Sequence, residues 1–562
     1  MANILISAIG ILCMLCLTGC GDARVKEAEV QDFVTEHVQK IKPMEKETNL
    51  AAWTAETTGR DEDFKRLTEL ELALRQVYAD SDEFEYVKTL KETGVEDPRL
   101  NRQVQILYRA YLANQIEPDL LKQIVELGNQ VSQKFNTHRG VIDGQQVTDN
   151  QIKEILKNET DSEKRMRAWQ AGKQVGAVLA PDVVRLVKLR NEAARKLGFE
   201  NYHTFSLTIS EQNVEELDAI FARLYELTEA PFRQLKAELD VILSEIYDVP
   251  LTALRPWHYH DPFFQETPLV LNLDLDAYYQ GRDVVELSRR FYAGINLPVD
   301  SVLNKSDLYE RQGKSPHAFC TDIDRQGDVR ILCNVKDNEK WTETMLHELG
   351  HAVYAKFYEG QMPWLLRDSA HIFTTEAIAM FFGRLSGNAD WMQQMLGLTD
   401  AQRDEIAVVG AKYARLKQLI FARWAMVMYN FEKDLYADPD QDLNSLWWSL
   451  VKKYQFVTPP DGRDAPDWAS KIHIASAPCY YHNYLLGELL ASQLHNHIVK
   501  NVLNLASDEG VSYVGQPRVG DYLRNNVFEV GREYHWNEMI RRATGEGLNP
   551  EYFVEQFVTS GK

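Results

Sequence analysis

One run constrains this chain more than any other: Thr344-Met345-Leu346-His347-Glu348-Leu349-Gly350-His351-Ala352-Val353-Tyr354. On a helix, positions i and i+4 share a face, so His347 and His351 present two imidazoles to one point. Glu348 sits beside the first of them, where its carboxylate can reach a water held by a metal ion. Asp337 or Asn338 can cap the start of this helix, and Gly360 with Pro363 marks its end. Catalytic zinc takes three protein ligands and keeps a fourth position open. The run Thr374-Thr375-Glu376-Ala377-Ile378-Ala379-Met380-Phe381-Phe382 offers the third, Glu376, 25 residues past His351. The bland alternative is a solvated helix face carrying two incidental histidines.

Much of the remainder also reads helical. Phe64–Tyr78 carries Leu67, Leu70, Leu74 and Val77 at three- and four-residue spacing, and stretches 101–136 and 212–247 repeat the pattern. Pro181 is placed to open a helix that stops at Gly198. The segment 317–335 alternates and turns at Arg325-Gln326-Gly327-Asp328, which makes it a β-hairpin and the one clear sheet element. Cys320 and Cys333 stand equidistant from the centre of that turn, so they are expected opposite one another, as a cross-strand disulfide or as two buried thiols. Cys479 has no partner and reads as a core thiol.

The chain's first residues are of another kind. Ile4–Leu17 is almost unbroken apolar sequence, short for a bilayer span, and it ends in Leu17-Thr18-Gly19-Cys20. That ending resembles a bacterial lipobox, which implies a signal peptide over 1–19 and a lipid anchor on Cys20. A plain secretory peptide or a short uncleaved anchor are the alternatives. Residues 20–45 then read as a polar tether and 46–562 as the folded domain. In a cell with an outer membrane, Gly21 after the cysteine lacks the aspartate associated with inner-membrane retention, so such a lipoprotein is expected at the periplasmic face of the outer membrane. Composition is that of a globular protein, 44% hydrophobic and 26% charged, and the net charge of −21 argues against a nucleic-acid partner. It specifies no oligomeric state.

The metal run and several other segments resemble angiotensin-converting enzyme and its bacterial relatives, a family of peptidyl-dipeptidases with a two-His, one-Glu zinc site. Trp53 with Asp63-Phe64-Lys65-Arg66-Leu67, and Arg190-Asn191-Glu192-Ala193-Ala194-Arg195-Lys196-Leu197-Gly198-Phe199, are similar to family segments. Pro316-His317-Ala318-Phe319 resembles the strand in which His317 and Ala318 hold the substrate main chain. Lys471-Ile472-His473, followed by Tyr480-Tyr481-His482-Asn483-Tyr484, resembles the family's Lys-x-His and paired tyrosines with one extra residue between them. The resemblance implies that His473 and Tyr484 stabilise the oxyanion, and that Lys471 and Tyr481 bind the substrate's C-terminal carboxylate. Tyr484 is preferred to Tyr480 because His495 then falls at the family's spacing.

Two positions depart from the pattern. Asn483 replaces an arginine that binds chloride in vertebrate members, which argues against chloride activation, and Met380 replaces an aspartate one turn past the zinc glutamate. The family's carboxylate-pocket glutamine has no clear counterpart, although the aromatic-rich stretch Arg255–Gln265 is a candidate cleft lining.

Together these features predict a mostly α, two-lobed zinc metallopeptidase domain with a deep cleft and a small hairpin at its site. The expected activity is release of C-terminal dipeptides from peptides with one zinc ion. An oligopeptidase cutting internally, and an inactive peptide-binding lipoprotein, are the competing readings.

Overall fold

The computed structural model describes residues 7–270, 274–358 and 360–559, with side chains from residue 27 onward. The apolar leader and Cys20 therefore have side chains outside the described residues. Among the described residues no helix is long and apolar enough to cross a membrane.

The fold is mostly α: 69% of it is helical, and among the described residues the sheets are two separate two-stranded hairpins. The helices that matter below are α1 (Ser7–Thr58), α2 (Asp61–Tyr78), α3 (Ser81–Thr93), α4 (Pro98–Leu112), α5 (Ser162–Lys196), α6 (Val214–Tyr247), α7 (Glu339–Lys356), α8 (Ile372–Gly383), α9 (Asp400–Ala437), α10 (Leu443–Gln455), α11 (His473–Ser476) and α12 (His482–His497). The hairpins are β1 (Gly140–Ile142) with β2 (Gln145–Val147), and β3 (Phe319–Asp322) with β4 (Val329–Leu332).

Among the described residues, most apolar burial falls in two clusters. A large core runs through α5 to α12, and a smaller one joins Val30, Val34 and Ile41 of α1 to Val77, Val87, Leu100, Val104 and Leu107 of α2–α4, closed by Trp364 and Leu365. The stretch from Glu27 to Glu45, expected as tether, is thus helix with a buried face. Apart from the buried His37, its polar residues lie toward the outside, which is why composition alone reads it as a linker.

Three further expectations change. Pro181 lies inside α5, whose start is capped by Asp161; Leu179, Val183 and Leu186 are buried on either side, so packing carries the helix past the proline. Stretch 101–136 breaks after Leu112 and resumes at Pro118. The hairpin β1–β2 went unread, although Asp143-Gly144, both at positive φ (50° and 79°), is a two-residue turn signal.

The β3–β4 hairpin forms where expected, in a shifted register. Phe319 pairs with Leu332 and Cys320 with Ile331, so the pairing is centred between Arg325 and Gln326 rather than one residue later. That one-residue change in turn centre moves every partner by two. Cys333 lies beyond the end of β4, and Cys320, Cys333 and Cys479 are all free thiols. Of the two alternatives for Cys320 and Cys333, the cross-strand disulfide is not formed.

Candidate active site

Helix α7 starts where Asn338 Oδ1 accepts the Trp341 N–H at 2.9 Å. It buries Met345, Leu346, Leu349 and Val353 and turns the two histidines toward α8. The approach of α7 to α8 depends on Gly350: a Cβ there would lie 2.8 Å from Ala379 Cα. Gly487 on α12 does the same for the third wall, where a Cβ would come within 3.2 Å of both Glu376 Cβ and Met380 Sδ. Met380 thus packs against a glycine.

The side-chain nitrogens of His347 and His351 and an oxygen of Glu376 lie within 4.8 Å of one another. His347 Nε2 and His351 Nε2 are 3.2 Å apart, and Glu376 Oε2 is 3.8 and 3.9 Å from them. A tetrahedral ion with bonds of about 2.0–2.1 Å holds its ligand atoms roughly 3.3–3.4 Å apart, so the set closes on zinc with shifts of a few tenths of an ångström. His351 Nδ1 meets Thr375 Oγ1 at 2.7 Å. With that nitrogen donating, Nε2 keeps its lone pair for a metal.

The electrostatics ask for a cation. Burial pushes the Glu348 carboxyl up to about 8, with the Glu376 charge adding to it. Burial likewise raises Glu376 to about 7, helped by Glu488, lowers His347 to about 4 and holds His351 well below the usual imidazole range. A divalent ion among these groups reverses the carboxyl shifts and leaves the imidazoles neutral, the form that ligates.

The other expected residues assemble in two places. Tyr484 and Tyr480 stand near the metal ligands: burial and the Glu376 charge raise both hydroxyls, and their rings are 5.3 Å apart. Tyr481 lies between Tyr484 and His473, with ring centroids at 5.5 and 5.3 Å. Burial, then the Lys471 charge, lowers His473 to about 4; its Nδ1 is buried without a hydrogen-bond partner among the described residues. Lys471, itself buried, has its ammonium 5.2 Å from the Tyr481 ring centroid and donates to Gln265 Oε1 at 2.6 Å. Gln265 is the residue sequence reading did not place. It ends the stretch marked as a cleft lining, and only the fold sets it beside Lys471.

His317 is exposed, and Ala318 leads directly into β3, whose outer edge pairs with no strand among the described residues. Asn483 is buried and its Oδ1 accepts from Gln212 Nε2 at 2.9 Å, while Gln212 Oε1 meets His482 Nε2 at 2.8 Å. His495 is taken up by the Tyr513 hydroxyl at 2.5 Å, away from the metal set.

Two nitrogens and one carboxylate suit zinc better than calcium or magnesium, and an adjacent free glutamate is what hydrolysis requires and a structural site lacks. The class this fold and site define is the zinc peptidases. The chain belongs to the angiotensin-converting enzyme family, whose model matches residues 24–258 and 261–557. Angiotensin-converting enzyme of Theromyzon tessulatum is 22% identical over 425 residues, covering 71% of this chain and 68% of its own. The Sus scrofa enzyme is 22% identical over 593 residues, covering 96% of this chain and 43% of its own. The angiotensin-converting enzyme-related protein of Drosophila melanogaster is 21% identical over 444 residues, covering 72% and 69%. The chain spans under half the length of the Sus scrofa protein.

Proposed function

We propose that the chain is a zinc-dependent peptidyl-dipeptidase, releasing dipeptides from free peptide C-termini. The observation that carries this reading is the pocket of Gln265, Lys471 and Tyr481. Lys471 spends one N–H on Gln265 Oε1, and the Tyr481 oxygen accepts from Trp424 Nε1 at 2.8 Å, which leaves its own hydrogen to donate. The glutamine amide, the ammonium and the phenol then offer donors, and a carboxylate is the ligand such a set selects. Tyr481 and Tyr484 are neighbours, so this pocket and the metal centre are two ends of one site.

His347, His351 and Glu376 would hold the zinc, which when bound supplies Lewis acidity to water and to the scissile carbonyl. Glu348 takes a proton from the attacking water and delivers it to the leaving amine. Tyr484 and His473 donate to the carbonyl oxygen as it gains charge, which favours the transition state over the bound substrate. The backbone at His317 and Ala318 offers an extended partner to the substrate main chain.

The test is product analysis by mass spectrometry on one short peptide, as free acid and as amide, with and without chelator. Chelator-sensitive loss of dipeptides from the free acid alone is expected. Cleavage of both forms at internal bonds would overturn the dipeptidase reading in favour of an oligopeptidase; cleavage of neither would leave a binding protein. We also propose that Cys20 carries a lipid anchor, placing the domain at the periplasmic face of an outer membrane. A Cys20→Ser variant should then leave the detergent phase for the aqueous one.

A further inference from the structure

Gln265 belongs to no helix or strand, yet it meets Lys471 at 2.6 Å, so something other than secondary structure must hold it. The backbone from Pro262 to Glu266 is held from both sides by buried side chains. The Asp261 carboxylate accepts the N–H groups of Phe263 at 2.8 Å on Oδ1, and of Gln265 and Glu266 at 2.9 and 3.0 Å on Oδ2. The carbonyls are taken from elsewhere in the fold. Gln455 Nε2, at the end of α10, donates to Phe263 O at 3.1 Å and Phe264 O at 2.7 Å, and Trp169 Nε1 on α5 donates to Pro262 O at 3.0 Å. Asp261 and Gln455 are 6% and 1% exposed, so water cannot replace them. The backbone they enforce is one the chain would not choose: Phe264 sits at φ 51° with a bulky side chain.

We propose that Asp261 and Gln455 are positioning residues that set the affinity for a substrate's C-terminal carboxylate, by fixing the loop that aims Gln265 at Lys471. The inference rests on the peptidyl-dipeptidase reading. A carboxylate with three backbone N–H bonds defines where a loop's amides point, and a carboxamide can satisfy only one side of it. Held this way, Gln265 keeps Lys471 from wandering and presents its own amide to the ligand; released, it does neither.

The experiment compares a product dipeptide with its C-terminal amide as inhibitors of the zinc-loaded full chain, as wild type, Asp261→Asn, Gln455→Met and Gln265→Ala. The wild type should bind the acid more tightly than the amide. In all three variants that preference should fall by roughly tenfold, the scale of one charge-assisted hydrogen bond. Zinc content should stay near wild type in all three, and turnover at saturating substrate should stay near wild type in Asp261→Asn and Gln455→Met. A preference unchanged in Asp261→Asn and Gln455→Met, but lost in Gln265→Ala, would overturn the inference while leaving the pocket in place. Equal binding of acid and amide by the wild type would instead sink the dipeptidase reading, and the inference with it. Should Asp261→Asn fail to fold, the Gln455→Met ratio decides alone. A merely structural role would lower turnover and stability without altering the acid-to-amide ratio.

Discussion

His347, His351 and Glu376 come from two helices in direct contact, α7 and α8. Gln265, Lys471 and Tyr481 come from loops and turns spread over residues 265–481. The two constellations adjoin, yet their precision has different sources. At the metal, the helical repeat sets two ligands, and two glycines let the neighbouring helices close to contact. At the carboxylate pocket nothing is set locally, and buried polar clamps such as Asp261 and Gln455 stand in for the regular backbone. On the peptidyl-dipeptidase reading, chemistry common to every substrate rests on the helix-set part, and recognition of the substrate's C-terminus rests on the part built from long-range contacts.

The sharpest way to break this comparison is to remove chemistry while leaving recognition. Glu348→Gln should keep the metal and the preference for a dipeptide acid over its amide, and lose about three or more decades of turnover. Turnover near wild type in a metal-loaded sample would mean that Glu348 is not the base. Next in size is Tyr484→Phe, which removes one donor to the developing oxyanion. Turnover should fall by about 10²–10³ with little change in KM, and a loss confined to KM would move Tyr484 from the metal end of the site to the recognition end.

The same division explains what could be read from the sequence. The metal run, its Asn338 cap and Glu376 are visible because their geometry follows from spacing along one or two helices. Gln265 is invisible because its meaning lies in Lys471, 206 positions away. The β3–β4 hairpin was legible, but its register was not: the pairing centre follows from how Asp322 Oδ1 takes the N–H groups of Asp324 and Arg325, at 3.2 and 2.9 Å. The same register takes Cys333 out of line with Cys320 and leaves both as free thiols. The interior Pro181 and the helical segment near Val30 were misread because burial outweighed local propensity and composition.

A third substitution acts on recognition alone. Lys471→Met should cost about 10- to 100-fold in kcat/KM on free-acid peptides, the range of charge-assisted hydrogen bonds, and abolish the preference over amides. Burial lowers the Lys471 ammonium to about 8, opposed by the charges of Asp261 and Glu266. Burial disfavours the charged form, so the ammonium is present below that pH and lost above it. In the free enzyme, kcat/KM for acids should therefore fall as pH rises through about 8, and this limb should vanish in Lys471→Met. A limb that persists there belongs to another group.

The smallest expected effect falls on the better-read half of the site. Thr375 adjoins Glu376 in sequence, but its importance shows only in space, where its hydroxyl meets His351 Nδ1 at 2.7 Å. An outer partner of this kind fixes the ring's orientation and tautomer without touching the ion, and its loss typically weakens metal binding by about 10- to 100-fold. Thr375→Val keeps the shape and removes the oxygen. Chelator competition should show weaker zinc binding by that margin, while turnover at saturating zinc stays near wild type, and Thr375→Ser should restore the affinity. If Thr375→Val binds zinc as tightly as wild type, helix packing alone orients His351, and the contrast between a helix-set metal centre and a clamp-set pocket becomes stronger. If it binds more weakly, the metal centre too depends on one polar clamp, and the two halves of the site differ in degree rather than in kind.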